Sequence, residues 1–521
     1  MPVDRRAFRA ALLFTLAAAT LLFAIHGNRF VQTNDEGILL EPAQRIALGQ
    51  SPYVDFFGYM SPGSYWIQAA VFRLFGVSLF TGRIPVIVGF AIQCGLVLWL
   101  VARLATFRAA ILTALLFFGF QIADPSFLTA QHRWDSGTLA LAAACLACEV
   151  HRRSHPGWPI ATGALLAAAA WCTPSMAVVI VAVLAWFGWL RNWRALAAAS
   201  AAIAAVSAAA IALLAAEGSL NAFVRQLLWL RQNYAAVNIM PYGSIIGGYG
   251  RIFADLSGPA LAFTALFVFF IALPAILPPL AFVLWAIEHR RRALAPEHAP
   301  LIALLLAVTA ALVATAFPRA DIMHLALVAA LPTALCAAAL SRLLPARAAG
   351  LTSVLFCLGA LAFASNHVRA FATATGLPSP AGKLLVDREK APALREILSR
   401  VQPGDTLLVH PYMPVLYFAT QARNVTRFSF LAPGMMTARE ERELLASVQA
   451  TPPRWVLYQP ITREEFLRVF PNATTLDNRF PLIDEFLARH YEPAAGPPIH
   501  FAGYRLLRLK IPLTQSRLPL P

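Results

Sequence analysis

The sequence predicts an α-helical protein that crosses a membrane several times and carries a small soluble α/β domain at its C-terminal end. Two observations predict the membrane part. Hydrophobic residues make up 59% of the 521 residues and charged residues only 13%, whereas a soluble protein has roughly 25% charged residues. Long apolar segments also recur up to about residue 365. The soluble domain is predicted over 366–521, where charged residues become frequent.

Hydropathy predicts about eleven membrane-spanning helices in the segment 1–365, because a helix needs about 20 mainly apolar residues to cross a bilayer. The predicted spans lie near 8–26, 84–104, 107–123, 135–150, 159–172, 174–190, 195–216, 258–286, 299–317, 321–341 and 348–364.

The arginines between these spans predict the orientation. If the N-terminus is cytoplasmic, the short arginine-containing loops all fall on the cytoplasmic side, as the positive-inside rule requires. Eleven spans then place the C-terminal domain outside. We therefore expect a multi-pass membrane protein whose C-terminal domain lies on the outer side. The net charge of +16 comes largely from arginines in these loops, where they can contact membrane lipids. No nucleic-acid partner is therefore expected.

The first outer loop, 27–83, is predicted to contain two amphipathic helices at 37–49 and 62–76 that lie in the membrane interface. The C-terminal domain is predicted to be α/β because strand-like and helix-like segments alternate in it. The strand-like segments are 405–410, 454–460 and 503–510, and the helix-like segments are 437–449 and 463–470.

Two adjacent carboxylates, Asp35 and Glu36, follow the first predicted span directly. A charged group beside a bilayer is costly unless it faces water or a partner, so the pair indicates a functional site. A carboxylate there can act as a general base on a lipid-linked substrate. The alternative is that both residues merely end a helix and point into water.

Further polar residues gather at the outer ends of later spans, and Asp, His and Arg at helix mouths on one side of a membrane suggest a shared pocket. They are His132, Arg133 and Asp135 before the fourth span, Arg319, Asp321 and His324 before the tenth, and the basic second outer loop at 217–257.

Each of these residues also has a structural alternative. The two arginines can reach lipid headgroups, Asp135 can cap a helix, and either histidine can simply be packed. His132, Asp135, Asp321 and His324 are metal-ligand types, but their spacing matches no firm metal signature. No cofactor is therefore predicted, with a divalent metal left open.

The segment 27–104 resembles the first outer loop of the GT-C fold glycosyltransferases, and the resemblance extends roughly over 1–365. It is strongest to the protein mannosyltransferase and lipid A aminoarabinose transferase group. Such enzymes take a sugar from a polyprenyl-phosphate carrier and pass it to an acceptor on the outer face. The C-terminal segment does not resemble the carbohydrate-binding-like module of the mannosyltransferases, which puts a protein acceptor in doubt.

The resemblance also implies roles for the candidate residues. Asp35 corresponds to the essential acid after the first span, Glu36 to the paired acid of the mannosyltransferase branch, and Asp135 to an acid of the second outer loop. The remaining candidates would bind substrate or phosphate, and they are His132, Arg133, Arg319, Asp321 and His324.

The resemblance and these residues together imply an inverting hexosyl or pentosyl transferase that uses a polyprenyl-phosphate sugar as its donor. It would lie in a bacterial inner membrane, with its C-terminal domain in the periplasm. The acceptor stays open between a glycolipid, a polysaccharide and a protein. Two alternatives belong to other functional classes, namely a transporter or flippase of lipid-linked saccharides and a non-catalytic membrane scaffold. Polarity gathered at the outer edge, without an internal repeat, argues against the transporter.

Overall fold

The structure is a computed structural model that describes residues 5–31, 34–152, 155–245, 248–477, 479–495 and 499–510. Long apolar helices form most of it, and a mixed α/β region covers one end of these helices. The first helices are α1 (Arg5–His26), α2 (Asn34–Ala47), α3 (Pro62–Phe75), α4 (Leu79–Gly82), α5 (Ile84–Leu104) and α6 (Phe107–Gln121).

A single 3-10 turn at Pro125–Leu128 leads into the next antiparallel helices. These are α7 (His132–Arg152), α8 (Gly157–Cys172), α9 (Ala177–Trp189), α10 (Trp193–Ala216), α11 (Leu220–Asn238) and α12 (Tyr249–Phe253). The helical part ends with α13 (Gly258–Arg290), α14 (Ala299–Ala314), α15 (Ile322–Ala326), α16 (Ala330–Leu343) and α17 (Ala346–Ala372).

Each of the eleven predicted spans corresponds to a helix. Among the described residues, six helices are long and apolar enough to cross a membrane, and several shorter apolar helices pack with them. The end of the bundle that carries Asp35 is called the outer end below, after the sequence-based orientation. The helices α5, α7, α13 and α16 all begin at this end.

The tenth predicted span, 321–341, is wrong at its start. The carboxylate of Asp321 accepts a hydrogen bond from the backbone N–H of His324 at 3.0 Å, which caps the short helix α15. A separate helix, α16, then begins at Ala330. Asp321 and His324 therefore lie in the outer connection between α14 and α16 and not in a spanning helix.

The amphipathic helices of the first outer loop form as α2 and α3, but the predicted interfacial position is wrong for α2. Its apolar side chains Ile38, Leu39, Leu40 and Ala43 are buried in a core shared with α3 and the C-terminal region. The C-terminal region covers the face that the sequence assigned to the bilayer. In contrast, α3 leaves Leu74 exposed.

The C-terminal α/β region follows α17, which continues past the predicted boundary at 365 to Ala372. Its elements are β1 (Thr375–Ser379), β2 (Gly382–Val386), α18 (Ala391–Arg400), β3 (Thr406–His410), α19 (Val415–Thr420), β4 (Arg423–Asn424), α20 (Ala438–Ala450), β5 (Trp455–Tyr458), α21 (Arg463–Val469), α22 (Pro481–His490), β6 (Tyr491–Pro493), β7 (His500–Phe501) and β8 (Tyr504–Leu509).

The main sheet has the strand order β4-β3-β5-β8-β6, with β7 also paired to β8. Strand β3 is parallel to β4 and β5, whereas β8 is antiparallel to β5 and β6. The three strands predicted from the sequence are the central ones, β3, β5 and β8. Their apolar side chains, such as Leu407 and Val456, are fully buried, which explains why hydrophobicity revealed them.

The segment after α1 fastens this region to the outer end of the bundle. The N–H of Phe30 donates to the carbonyl of Leu385 at 2.9 Å, and the N–H of Leu385 donates to the carbonyl of Asn28 at 2.7 Å. Between them, the buried guanidinium of Arg29 forms an ion pair with Asp387. The start of the chain is thus hydrogen-bonded to the α/β region a few residues before Asp35.

Candidate active site

A cavity of about 280 Å³ lies at the outer end, between the helical bundle and the C-terminal region. It brings together six of the eight candidate residues, which the sequence distributes over some 290 positions. These six are Asp35, His132, Arg133, Arg319, Asp321 and His324. Asp35 therefore does not stand alone in bulk solvent.

Asp35 and Glu36 belong to the first turn of α2 and point in different directions, because successive residues of a helix are about 100° apart. Asp35 is exposed and lines the cavity. Glu36 is fully buried and accepts a hydrogen bond from Nη2 of Arg83 at 2.8 Å. It also accepts the backbone N–H of Ala130 at 3.3 Å. The alternative that both carboxylates point into water is wrong.

Arg133 lies in the first turn of α7 and reaches the cavity from inside the bundle. Its side chain is buried, and its Nη1 donates to the backbone carbonyl of Thr315 at 3.1 Å. Asp35 and Tyr234 are close enough to interact with it electrostatically. The alternative in which Arg133 extends to lipid headgroups does not fit this buried position.

Arg319, Asp321 and His324 form one hydrogen-bonded group. Nε of Arg319 donates to Oδ2 of Asp321 at 2.8 Å, and Nδ1 of His324 lies 2.7 Å from Oδ1 of the same carboxylate. Burial raises the pKa of the Asp321 carboxyl, but the hydrogen bonds and charges of His324 and Arg319 outweigh burial and lower it to about 2. Asp321 therefore stays ionised and holds the guanidinium of Arg319 and the imidazole of His324 at the cavity wall.

The second outer loop contributes to the cavity differently from the prediction. Two arginines of this basic loop, Arg225 and Arg231 on α11, are exposed and do not line the cavity. The C-terminal end of α11 instead supplies Tyr234 and Asn238. The Oδ1 atom of Asn238 accepts a hydrogen bond from Nη1 of Arg319 at 2.9 Å.

The C-terminal region closes the remaining side of the cavity with apolar and aromatic side chains, including Phe430, Met435 and Phe470. The guanidinium of Arg319 lies 5.4 Å from the centre of the Phe470 ring, within the range of a cation–π contact. No sequence signal connects these residues with Asp35. They are apolar, lie more than 390 positions further along the chain, and meet the site through tertiary packing alone.

Asp135 lies outside the described lining of the cavity. The helix α7 begins at His132, so Asp135 is inside its first turn and is not the helix cap that one interpretation assigned to it. Its carboxylate is close to Ser64 and Cys172. A direct contact of Asp135 with a substrate in the cavity therefore finds no support in this position.

A second cavity of about 360 Å³ adjoins the first. The two cavities share the lining residues Phe127, Asp321 and Met323. The remaining lining of the second cavity is mainly apolar and includes Phe120, Phe267, Phe270, Ile271 and Ala360 from α6, α13 and α17. A polar chamber and an apolar chamber thus meet at Asp321.

Among the described residues, no group of three or more His, Cys, Asp or Glu side chains is arranged to hold a metal ion. The cavity instead combines two carboxylates, two guanidinium groups, two imidazoles and aromatic surfaces. Such a set can accept a proton, neutralise an anion and pack against a ring.

The fold and the cavity define a polytopic helical membrane protein with a polar site at one end of the bundle. Comparisons of the sequence with protein-family profiles and with curated proteins found no match.

Comparison with solved structures identified the fold. The crystal structure of ArnT from Cupriavidus metallidurans bound to undecaprenyl phosphate is similar, with a TM-score of 0.57 and 14% sequence identity over 95% of this chain and 97% of that one. Apo ArnT from the same organism gives a TM-score of 0.55 and 14% identity, over 96% and 97% of the two chains.

The apo crystal structure of the Archaeoglobus fulgidus oligosaccharyltransferase is also similar. Its TM-score is 0.51 with 12% identity, over 98% of this chain and 75% of that one. ArnT and the oligosaccharyltransferase are GT-C fold glycosyltransferases. The chain therefore has the GT-C fold, and the predicted fold class is confirmed.

Proposed function

We propose that this chain is an inverting membrane glycosyltransferase that moves a sugar from a polyprenyl-phosphate carrier to an acceptor at the outer face of the membrane. The observation that supports it most is the contact between the two cavities. A polar chamber with Asp35, Arg133 and Arg319 adjoins an apolar chamber, and Asp321 lines both. This shape matches an amphiphilic donor whose charged sugar phosphate is joined to a hydrocarbon chain.

In the proposed reaction, Asp35 acts as the general base. The acceptor hydroxyl oxygen attacks the anomeric carbon while the bond from that carbon to the phosphate oxygen breaks. The acceptor proton passes to the carboxylate of Asp35, and the carrier leaves as its phosphate. A single direct displacement inverts the anomeric centre, because no covalent sugar–protein intermediate intervenes.

Arg133, Arg319 and His324 neutralise the negative charge that develops on the departing phosphate. Arg319 and His324 are held in place by Asp321 on one side and Arg319 by Asn238 on another. Prealigned cations stabilise a transition state without reorganising during the reaction. The aromatic wall from the C-terminal region offers a surface against which a sugar ring can pack.

Glu36 and Asp135 receive different roles from those that the resemblance implied. Glu36 is paired with Arg83 and sealed from the cavity, so we assign it to fixing the first turn of α2, which carries Asp35. Asp135 lies outside the described lining of the cavity, and we assign it no contact with substrate.

The test is to incubate the purified full chain with a panel of polyprenyl-phosphate sugars and candidate acceptors, and to measure release of the bare carrier phosphate. Release that depends on the acceptor supports the proposal. Movement of labelled carrier lipid across liposome membranes without any sugar transfer would instead establish the transporter alternative. Binding of the carrier without either activity would favour a scaffold.

The sugar and the acceptor follow from the same panel. Because the site accepts a lipid phosphate in the proposed reaction, hexosyl and pentosyl donors on one carrier should be compared first. Glycolipid, polysaccharide and protein acceptors should then be tested with the best donor.

A further inference from the structure

The imidazole of His132 lines the cavity and is held from behind by a threonine hydroxyl. Nδ1 of His132 lies 2.7 Å from Oγ1 of Thr173. Thr173 follows the last residue of α8 and precedes Pro174, and its backbone is extended, with φ −143° and ψ 106°. A residue before proline is driven out of the helical conformation. The turn at Thr173 therefore ends α8 and brings the hydroxyl next to α7.

The hydroxyl of Thr173 continues into a short buried chain of hydrogen bonds. Its Oγ1 lies 2.9 Å from Oγ of Ser136, one turn after His132 on α7. The Oγ atom of Ser136 lies 3.4 Å from the backbone carbonyl of Arg133. Ser136 and Thr173 are 0% and 3% exposed, so bulk water does not compete for these groups.

The end of this chain fixes the direction of each hydrogen bond. A backbone carbonyl can accept a hydrogen bond but cannot donate one. Ser136 therefore donates to the carbonyl of Arg133, and its oxygen accepts from the hydroxyl of Thr173. The oxygen of Thr173 is left to accept from the ring of His132, which must carry its proton on Nδ1.

A second acceptor near the Thr173 hydroxyl leads to the same assignment. The carbonyl oxygen of His132 lies 3.5 Å from Oγ1 of Thr173. If the hydroxyl proton turns to that carbonyl, the oxygen of Thr173 again accepts from Nδ1. Both arrangements place the ring proton on Nδ1.

We propose that His132 is held as its Nδ1–H tautomer and presents the unprotonated Nε2 to the cavity, where it accepts a hydrogen bond from a hydroxyl group of the transferred sugar. The identity of the hydrogen-bond donor, a hydroxyl of the transferred sugar, rests on the proposed function. It also replaces the sequence-based role of His132, because an unprotonated nitrogen repels the oxygens of a phosphate and attracts O–H donors. Phosphate binding then falls to Arg133, Arg319 and His324.

Such a residue determines specificity. A site built to hydrogen-bond a substrate hydroxyl discriminates against an analogue that lacks it, since the polar group of the protein is then left without a partner. The matching sugar hydroxyl is identified by a series of donors that each lack one hydroxyl group. With wild-type protein, the donor that lacks the hydroxyl bound by Nε2 should be transferred more slowly than the complete sugar. With His132→Ala, these two donors should be transferred at the same rate.

The tautomer itself is tested on the protein without substrate, so the outcome does not depend on transferase activity. The full chain is labelled with ¹⁵N-histidine, and the His132 ring signals are assigned by their loss in His132→Gln. We expect a protonated nitrogen at Nδ1 and an unprotonated nitrogen at Nε2 at neutral pH. A ring protonated at Nε2, whether singly or doubly, would overturn the inference even if the protein transfers sugar.

Paired substitutions at Thr173 then test whether the hydroxyl sets the tautomer. Thr173→Val removes the hydroxyl at nearly constant shape, whereas Thr173→Ser keeps it. We expect Thr173→Val to mix the two tautomers and to lower kcat about 3- to 10-fold, the effect of one ordinary hydrogen bond. Thr173→Ser should keep the wild-type ring signals and rate.

The matched control is Thr113→Val, which removes an equally buried hydroxyl on α6 that bonds to the carbonyl of Ala109. It should leave the His132 signals unchanged. If Thr173→Val also leaves them unchanged, the hydrogen-bond chain does not control the ring and the inference is wrong.

Discussion

The two ends of the helical bundle contain the same kinds of charged side chain in different surroundings. At the end opposite the cavity, Arg342 holds Glu288 through two hydrogen bonds of 2.6 and 3.1 Å, and Glu288 is 1% exposed. At the outer end, Glu36 and Arg83 form a similarly closed pair. Asp35, the residue before Glu36, is in contrast exposed and faces the cavity.

This difference shows what separates a structural charge from one available for chemistry. Removing one partner of a buried ion pair strongly destabilises the protein, because the other charge stays buried without compensation. A carboxylate that opens onto a cavity can exchange a proton with a substrate. Residue type and position beside the membrane do not distinguish the two cases, whereas access to the cavity does.

The largest expected effect comes from removing the exposed carboxylate. Asp35→Asn should lower transfer about 10²- to 10⁴-fold, the usual contribution of a positioned general base, with little change in thermal unfolding. The measurement is the initial rate of carrier phosphate release by purified protein. Asp255→Asn, at another exposed carboxylate of the outer loops, is the matched control and should keep the wild-type rate. Full activity of Asp35→Asn would remove Asp35 from the mechanism.

Breaking the closed pairs should instead act first on stability. Glu36→Gln leaves the fully buried guanidinium of Arg83 without its counter-charge and should lower the free energy of unfolding by about 3–5 kcal/mol. Glu288→Gln leaves the partly exposed guanidinium of Arg342 without its counter-charge, so its effect on stability should be smaller. Per folded molecule, Glu36→Gln should also slow transfer, because the first turn of α2, which carries Asp35, loses its ion pair with Arg83. Glu288→Gln should not slow it.

A double variant sharpens this second comparison. Glu36→Gln combined with Arg83→Met removes both charges, so it should be more stable than Glu36→Gln alone. Equal destabilisation of the single and double variants would show that the ion pair is not what holds the start of α2.

Loss of one cavity arginine should have a smaller effect on catalysis. Arg319→Gln should reduce kcat/KM about 10- to 100-fold, the range expected when a hydrogen bond to a charged group is lost. Arg225→Gln, on the exposed side of α11, carries the same change outside the cavity and should behave as wild type. Similar losses in both variants would indicate a general effect of surface charge.

The smallest effect is a pH dependence of stability. The pKa of Asp321 is lowered to about 2 from an ordinary value of 3.8, so the folded state binds its proton more weakly than the unfolded state does. The resulting stabilisation of about 2 kcal/mol is complete above the unfolded pKa and is lost as the pH falls from about 4 to 2. The measurement is the difference in unfolding free energy between wild type and Asp321→Asn across that range.

That difference should be constant above pH 5 and shrink in acid. Asp255→Asn should show no such trend, because its carboxylate is exposed. A flat difference for Asp321→Asn would mean that Arg319 and His324 do not stabilise the ionised carboxylate.

Hydropathy predicted the helical part of the fold well because length and apolar character are local properties of the chain. The start of α5 at Ile84 and its end at Leu104 agree with the predicted span 84–104, and α8 ends at Cys172, where the predicted span 159–172 also ends. The predicted span 321–341 was wrong at its start, because a polar side chain interrupts the apolar segment. Asp321 caps the short helix α15, and the longer helix α16 begins separately at Ala330.

The site was predicted less completely because tertiary packing decides which side chains meet. Six polar candidates do line one cavity, since helix ends at one membrane face are forced together. Helix geometry separates Asp35 from Glu36, but which of them faces the cavity depends on the packing of α2 against Arg83, and hydropathy gives no information on that packing. The aromatic wall from Phe430 and Phe470 carries no signal in the sequence, because apolar residues of a domain core look alike.

The pairing of Asn28 and Phe30 with Leu385 has a consequence for biosynthesis. Residues near the beginning of the polypeptide receive their partners from a strand that the ribosome makes much later, and the aromatic wall of the cavity is made later still. A nascent protein with its first helices already inserted would therefore carry an unfinished site. Catalytic competence would arise only once the tail of the chain has been delivered to the same side of the membrane.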